Sequence, residues 1–260
     1  MTFPLYASLA LYVLSTATSV AGFRGTLTRL RSKSTVLLIA GFGSHTAYLA
    51  WRAYSTGHAP MASMDETTAF YGWTTVLASL IVIFRYKERL VELITVPLAS
   101  LAVFFSILNA KPPGPLTLVL RTHWFEAHVS ASFAAYALFT IAFAGAVLYL
   151  IHLVRGSEAP VLKRFQEIAS RAVLWGFFLF SISMFAGAIW AYLAWGVYWM
   201  WEPKIIWSFI VWFYYAGAMH AYYVRQWRGT GLSIATVIGF FVVMFTYLGI
   251  SLLMKSSHSF

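Results

Sequence analysis

The sequence contains no cysteine, and this absence removes several kinds of chemistry. Disulfide bonds, thiolate metal sites and cysteine nucleophiles all need a sulfur that this chain does not have. If the protein acts on thiols, those thiols must belong to a partner or a substrate. Charged residues are also scarce, at 10% of the 260 residues, whereas 60% are hydrophobic. This composition is too apolar for a soluble domain and predicts a polytopic membrane protein.

Acidic residues are the scarcest charged type, because 8 Asp and Glu stand against 18 Lys and Arg, for a formal net charge of +10. The basic residues fall between hydrophobic runs and form no continuous basic surface. We therefore exclude nucleic acid as a partner and expect the lipid bilayer instead. No Lys or Arg precedes the first apolar run, whereas a secretory signal peptide would begin with a basic segment. We expect a retained first helix.

Eight hydrophobic segments are long enough to be membrane spans, since about 20 apolar residues cross a bilayer as a helix. In hydrocarbon the backbone must satisfy its own hydrogen bonds, so we predict that every span is helical. The prediction is an all-α protein with a single membrane domain over residues 1–260. The spans cover residues 4–22, 35–54, 68–84, 90–108, 128–154, 172–194, 205–224 and 231–253.

The distribution of Lys and Arg predicts the orientation of these spans. Loops after the first, third, fifth and seventh span hold 13 of these residues, and the opposite side holds 5. The basic side is expected to be cytoplasmic, which places both termini outside. The outer segments are richer in aromatic residues, Pro and His, so we expect the working face to be external. They are residues 55–67, 109–127, 195–204 and 254–260.

The most unusual segment runs from Trp195 to Trp207 and has the sequence WGVYWMWEPKIIW. Trp and Tyr favour the boundary between membrane and water, where clusters of them usually form an anchoring girdle. Anchoring rarely needs this density, so we interpret the segment as a flat aromatic shelf for a large planar ligand. The residues that we assign to it are Trp195, Tyr198, Trp199, Trp201, Glu202, Lys204 and Trp207.

Histidine is the natural neutral axial ligand for haem iron, and two of the seven histidines lie at comparable depth on the outer side. We expect His128 and His258 to reach one iron from opposite faces, beside the Trp-rich segment. His220 follows Lys204 by 16 residues, which is about 24 Å along a helix, so it would need a separate haem and another chain's ligand. A lone interfacial histidine is more often a hydrogen-bonded anchor. We keep that interpretation for His45, His58, His123 and His152.

Four stretches resemble signature segments of the cytochrome c assembly family, and they occur in the family's order. WGVYWMWEPKIIW resembles its tryptophan-rich WWD signature. The other three are TGHAPMASMDETTAF at 56–70, LRTHWFEAHV at 120–129 and TYLGISLLMKSSHSF at 246–260. The Pro-Lys after the acid and the final HSF resemble the CcsA (ResC) branch of System II cytochrome c biogenesis, rather than the CcmC branch of System I.

The resemblance implies a haem-handling subunit of a haem lyase, that is, a holocytochrome c synthase. His128 and His258 match the two external histidines that bind haem b. His220 matches an intramembrane histidine whose site is completed by a CcsB/ResB-like membrane subunit. Haem would move from the inner site to the outer one, for covalent attachment to the CxxCH motif of an apocytochrome c. The implied location is the bacterial inner membrane, or alternatively the plastid thylakoid membrane.

Three departures from the family pattern are evident. Glu202 stands where the family has Asp, Ile205 stands where it has Glu, and residues 63–67 read SMDET where it has NLYES. These changes affect substrate contacts rather than the histidines. No catalytic acid or base is assigned, because positioning would be the protein's contribution.

Two other functions are compatible with these residues. A membrane electron-transfer cytochrome of the b type would pair its histidines at fixed depth within the bilayer, whereas the strongest histidines here lie at its outer edge. A non-catalytic regulator or haem transporter would keep the same architecture without assembly activity, since fold does not determine function.

Overall fold

A computed structural model of the chain describes residues 2–24, 28–112, 114, 116–223 and 227–253. All regular secondary structure in these ranges is helical, which confirms the predicted all-α class. A 3₁₀ turn at Leu118–Leu120 precedes α5, and a π-helix at Phe245–Gly249 separates α8 from α9. The helices are α1 (Phe3–Arg24), α2 (Thr28–Thr56), α3 (Met64–Tyr86), α4 (Glu92–Leu108), α5 (His123–Val154), α6 (Ala159–Trp195), α7 (Pro203–Tyr223), α8 (Thr230–Met244) and α9 (Ile250–Leu253).

Each of the eight predicted spans overlaps a helix in the described ranges, and the chain is a polytopic membrane protein. Within the described ranges, five helical segments are long and apolar enough to cross a membrane. α4, at 17 residues, is short for a span. The count of eight spans and the outward termini therefore stay predictions. The five segments are Phe3–Phe23, Met64–Tyr86, His123–Val154, Ala159–Trp195 and Thr230–Leu253.

The chain divides into two compact units, Met1–Thr117 and Leu118–Phe260. In the first unit α1 packs along α2, α3 packs along α4, and α1 also contacts α4. Leu5, Leu38 and Val76 are among its fully buried core residues. The single membrane domain predicted from the sequence stays a prediction.

The second unit has an aromatic core. α5 and α6 form an extended helical hairpin, α8 packs on α5, and α7 packs on α6 and α8. Phe139 stacks on Tyr215 with ring centroids 3.7 Å apart, and Phe143 stacks on Phe240 at 4.3 Å. Such pairs are worth about 0.5–1.5 kcal/mol each beyond the area they bury.

Two helix ends in the second unit position the residues of interest. α5 begins five residues before the predicted span, because the Thr122 hydroxyl caps it by accepting a hydrogen bond from Phe125 N at 3.1 Å. His128 therefore lies on the second turn of α5. α6 ends at Gly196, whose φ of 75° is in the left-handed region that favours glycine. The Trp-rich segment then runs without helix until Pro203 begins α7.

Candidate functional site

The imidazole of His128 is held by a hydrogen bond to α6. Its Nδ1 lies 2.8 Å from the carbonyl oxygen of Ser183 and 3.1 Å from the hydroxyl of the same residue. Because a carbonyl oxygen only accepts, Nδ1 must carry the proton and donate it. Nε2 is then the nitrogen with a free lone pair, which is the arrangement of a histidine that is ready to bind a metal.

Small residues bring α6 close enough for this contact. The hydroxyls of Ser132 and Ser183 lie 2.5 Å apart, and each is within 3.0 Å of the His128 carbonyl oxygen. A Cβ on Gly187 would come within 2.6 Å of His128 Nδ1, so only glycine leaves room for the ring. Trp190 stacks on the imidazole with centroids 5.9 Å apart and an angle of 22°. α6 thus holds the ring by backbone, hydroxyl and aromatic contacts.

His128 lines a partly open pocket with a cavity volume of about 170 Å³. Sites of small molecules and cofactors usually measure about 300–1,000 Å³, so a large planar ligand would extend beyond this cavity through its open side. The Trp-rich segment supplies Tyr198, Trp199 and Lys204 to its wall. Other lining residues from α5, α6 and the π-helix include Tyr136, Phe180, Met184 and Thr246.

Lys204 is the cation of this pocket and lies in the first turn of α7, outside the five apolar spans. Its ammonium donates a hydrogen bond to the Ser251 hydroxyl at 3.2 Å. Burial lowers the pKa of Lys204 to about 8, because removal from water penalises the charged form. With a pKa of about 8 the ammonium is still mostly protonated at neutral pH, and it gives the pocket wall a positive charge that an anionic ligand group can neutralise.

The tryptophans do not form the single flat shelf that the sequence suggested. Trp199 and Trp201 meet edge to face, at 5.5 Å and 85°. Trp195 packs against Trp190 at 5.0 Å and 63°, and Trp207 packs on Phe245 at 4.6 Å. Trp199 and Trp201 therefore cannot share a plane, and Trp195 and Trp207 pack against other aromatic neighbours.

Trp199 and Trp201 also border a shallow, open and almost wholly apolar groove on the exposed side of α7. Trp199 lines both this groove and the His128 pocket, so its indole stands between them. Trp201 is 81% exposed, which is unusual for so large an apolar side chain. The groove is completed by Ile206, Phe209, Ile210 and Phe213.

The remaining predicted ligands do not meet in the described part of the pocket. His258 falls in residues 254–260, outside the described residues. His220 is exposed on the last turn of α7, which runs unbroken from Pro203. The 16 residues between Lys204 and His220 thus span about 24 Å of helix, as expected. Glu202 is half-buried just before α7 and does not line the pocket.

Of the four histidines that we interpreted as anchors, His58, His123 and His152 are at least partly exposed, whereas His45 is buried. His58 has both ring nitrogens near carbonyl oxygens, of Ala59 at 2.8 Å and Gly114 at 3.3 Å. His152 Nδ1 lies 2.8 Å from the Ser157 hydroxyl. The exposed His123 lies 3.4 Å from a carboxylate oxygen of Glu126. His45 is fully buried in the first unit, with Nδ1 3.3 Å from the Tyr12 hydroxyl.

Sequence reasoning missed Ser183, Gly187 and Trp190, which hold His128. Ser183, Gly187 and Ala191 recur every fourth residue on α6. A repeat of small residues at this spacing is typical of helices that approach each other closely in membranes. The pattern therefore predicts close packing, but it does not identify the partner of the imidazole.

Comparisons with known proteins agree with this architecture. The family model described as "Cytochrome C assembly protein" matches residues 61–258. The chain is 29% identical to the cytochrome c biogenesis protein CcsA of Synechococcus sp. (strain RCC307), over 86% of this chain and 83% of that protein. It is 28% identical to CcsA of Guillardia theta, over 83% of this chain and 81% of that protein.

A solved structure, of the "Cytochrome c Heme Lyase CcmF", superposes on 98% of this chain with a TM-score of 0.74 and 18% sequence identity. The chain spans about half the length of that protein, 46%. At this identity the similarity establishes the fold alone.

Proposed function

The chain belongs to the cytochrome c assembly protein family and acts in cytochrome c biogenesis, and on this premise we propose that it holds haem for attachment to an apocytochrome c. The observation that carries the proposal is the hydrogen bond from His128 Nδ1 to the Ser183 carbonyl, at 2.8 Å. It leaves Nε2 available to iron at the wall of a partly open pocket. His258 would supply the second axial imidazole.

In this proposal the pocket residues position the substrate rather than react with it. Tyr198 and Trp199 would contact the macrocycle, and Lys204 would pair with a propionate at the mouth of the pocket. The open groove beside Trp199 and Trp201 would receive the apolar vinyl edge and the approaching CxxCH segment. Each thioether forms when a thiol S–H adds across a vinyl double bond, so no group leaves. Both thiols come from the apocytochrome, because this chain has no cysteine.

His220 would serve a second, inner haem site. An exposed imidazole about 24 Å from Lys204 along α7 is costly against lipid. A CcsB-like membrane subunit that covers this position and contributes the other axial ligand would remove the cost. The complex of the two subunits would then be the haem lyase, and haem would pass from the inner site to the outer one.

The test replaces His128 and scores both bound haem and product. We expect His128→Ala to lose the low-spin, bis-histidine absorption of the purified protein. The same variant should abolish covalent haem on a CxxCH apocytochrome that is co-expressed with a CcsB-like partner. Exogenous imidazole should restore part of both signals, because it replaces the missing ligand.

The matched control is His123→Ala, on the same helix five residues earlier, whose imidazole is fully exposed. It should keep the spectrum and the yield of covalent haem. Equal losses in both variants would contradict a ligand role for His128. Haem bound normally without any covalent product would favour an electron-transfer cytochrome or a haem transporter.

A further inference from the structure

The first unit has a line of buried polar side chains along an otherwise apolar core. On α1 the buried face carries Ser8, Tyr12, Ser15 and Ser19, each 0–1% exposed. Their spacing of three or four residues keeps them on one face of the helix. Most residues of the buried hydrophobic core in this unit are nevertheless Leu, Val and Ala. A polar stripe inside such a bundle needs partners on the facing helices.

At one end of the line lies the carboxyl group of Glu92, on the first turn of α4. It is 3% exposed. Its Oε1 accepts hydrogen bonds from the hydroxyls of Ser19 on α1 and Ser34 on α2. Its Oε2 has no hydrogen-bond partner among the described residues. Arg89, just before the helix, is the cation whose charge acts on this carboxyl.

Further buried hydroxyl groups lie on α4 and α3, beyond the first turn of α4. Thr95 lies one turn further along α4, and its hydroxyl accepts a hydrogen bond from Ser79 on α3 at 2.7 Å. Ser79 is also 2.8 Å from the carbonyl oxygen of Thr75, one turn away on the same helix. The Thr75 hydroxyl is fully buried and has no hydrogen-bond partner among the residues described.

The other end of the line is the imidazole of His45, on α2. Its Nδ1 faces the Tyr12 hydroxyl at 3.3 Å, and its Nε2 lacks a hydrogen-bond partner in the described part of the chain. Its Cε1 packs against Gly72, at 3.6 Å from where a Cβ would stand. Thr75 lies one turn after Gly72 on α3. The two unpartnered atoms, His45 Nε2 and Thr75 Oγ1, therefore border the same part of the bundle.

Three unpartnered polar atoms on one line are better explained by bound water than by chance. A buried polar group without a partner costs about 1–3 kcal/mol, so such groups usually hold an ordered water molecule. His and Glu side chains inside a membrane are expensive and mark proton relays in pumps and transporters. Hydroxyls can donate one proton while accepting another, which is what a relay requires.

We propose that Glu92, Thr95, Ser79, Thr75 and His45, with water at the unpartnered atoms, form a proton relay in the first unit. Glu92 Oε2 and His45 Nε2 are the two ends, and a proton taken up at one end is passed on by each hydroxyl in turn and released at the other. The Ser79 hydroxyl, which donates to Thr95 in this structure, rotates once in each transfer. Only O–H and N–H bonds are made and broken, and no electrons are transferred. Thr75 and Ser79 are four residues apart on α3, so the hydroxyl section on this helix is about 6 Å long.

Among the described side chains, few charged groups face this line. Glu92 faces Ser19 from α1, Ser34 from α2 and the charge of Arg89. His45 faces Tyr12 from α1 and Gly72 from α3. The ion-paired Arg52 lies two turns further along α2. Arg52 and its buried ion pairs are therefore not part of the proposed relay.

Infrared spectroscopy of the purified full-length protein tests the relay directly. A carboxyl band that is present in the wild type and absent in Glu92→Gln identifies the Glu92 carboxyl group. The time course of the shift of this band after transfer into D₂O gives the rate of proton exchange. We expect Ser79→Ala and Thr75→Val to slow this exchange by about tenfold or more, because each removes one hydroxyl link. Thr75→Ser, which keeps the hydroxyl, should restore the rate.

The matched control is Ser100→Ala on α4, a buried serine whose hydroxyl donates a hydrogen bond to Val96 O of its own helix. In this variant the Glu92 carboxyl group should exchange its proton at the wild-type rate. Exchange that is equally fast in Ser79→Ala and Thr75→Val would overturn the relay. So would the absence of any Glu92-dependent carboxyl band across the pH range in which the protein stays folded.

Discussion

At the scale of single residues, the chemistry of His128 is decided by what α6 presents to its ring. The Ser183 carbonyl selects the tautomer, and Trp190 limits the tilt of the imidazole. Partners of this kind orient a metal ligand and raise its basicity, and replacing them typically costs 10–100-fold in affinity (order of magnitude). Residues that touch no ligand can therefore control ligand binding here.

The variant Gly187→Ala tests whether α6 controls ligand binding through the orientation of His128. The added methyl group would come within 2.6 Å of His128 Nδ1, so the ring must turn away from the Ser183 carbonyl. If His128 binds haem, we expect affinity to fall by roughly 10–100-fold, with a change from low-spin to high-spin absorption. Gly43→Ala is the control, because nothing lies within 4 Å of its added Cβ. An unchanged spectrum in Gly187→Ala would contradict a positioning role for α6.

At the scale of elements, a buried ion-pair network joins α2 to α3 in the first unit. Arg52 Nε lies 2.7 Å from a Glu66 carboxylate oxygen, and its guanidinium lies 3.8 Å from Asp65. The guanidinium also donates to the carbonyl oxygen of Lys111, whose own N–H lies 3.3 Å from Asp65. One cluster thus anchors the loop between α2 and α3 and the segment after α4.

Arg52→Gln should destabilise this unit strongly, because it leaves Asp65 and Glu66 buried without their cation. Removing one partner of a buried ion pair costs about 3–5 kcal/mol. We expect a clear fall in the melting temperature of the detergent-solubilised protein. His123→Ala, which removes a fully exposed partner of Glu126, should leave the melting temperature unchanged. Equal melting temperatures for Arg52→Gln and the wild type would show that the network is dispensable.

At the scale of the whole molecule, the orientation in the membrane is still a prediction from the charges of the loops. The absence of native cysteine makes it simple to test, since any introduced cysteine is the single thiol in the chain. Ala110, after α4, and Glu158, before α6, are both exposed and lie on opposite sides in the predicted topology.

We expect a membrane-impermeant maleimide to label Ala110→Cys in intact cells, because that loop is external in the prediction. Glu158→Cys should react only after the cells are permeabilised, since its loop belongs to the basic, cytoplasmic side. Labelling of both variants in intact cells, or the reverse pattern, would show that the predicted orientation is wrong.

The sequence predicted the helices well and their contacts poorly, for one physical reason. Apolar length and local capping are properties of neighbouring residues, so the spans around α3, α5 and α6 are recognisable from the chain alone. The edge-to-face packing of Trp199 and Trp201 depends on side-chain rotamers in an irregular segment. The start of α5 at His123 depended on a capping hydroxyl at Thr122 that we had not weighed.

The sequence by itself determined an all-helical membrane protein, the types of residue near its working face and the family, because these follow from composition and order along the chain. Only the tertiary structure decided that His128 meets Ser183, 55 residues away, and that Tyr198, Trp199 and Lys204 share its pocket. Contacts between helices depend on the rotation and depth of each helix against its neighbours. Many such arrangements satisfy the same hydrophobic pattern, and close packing selects one of them.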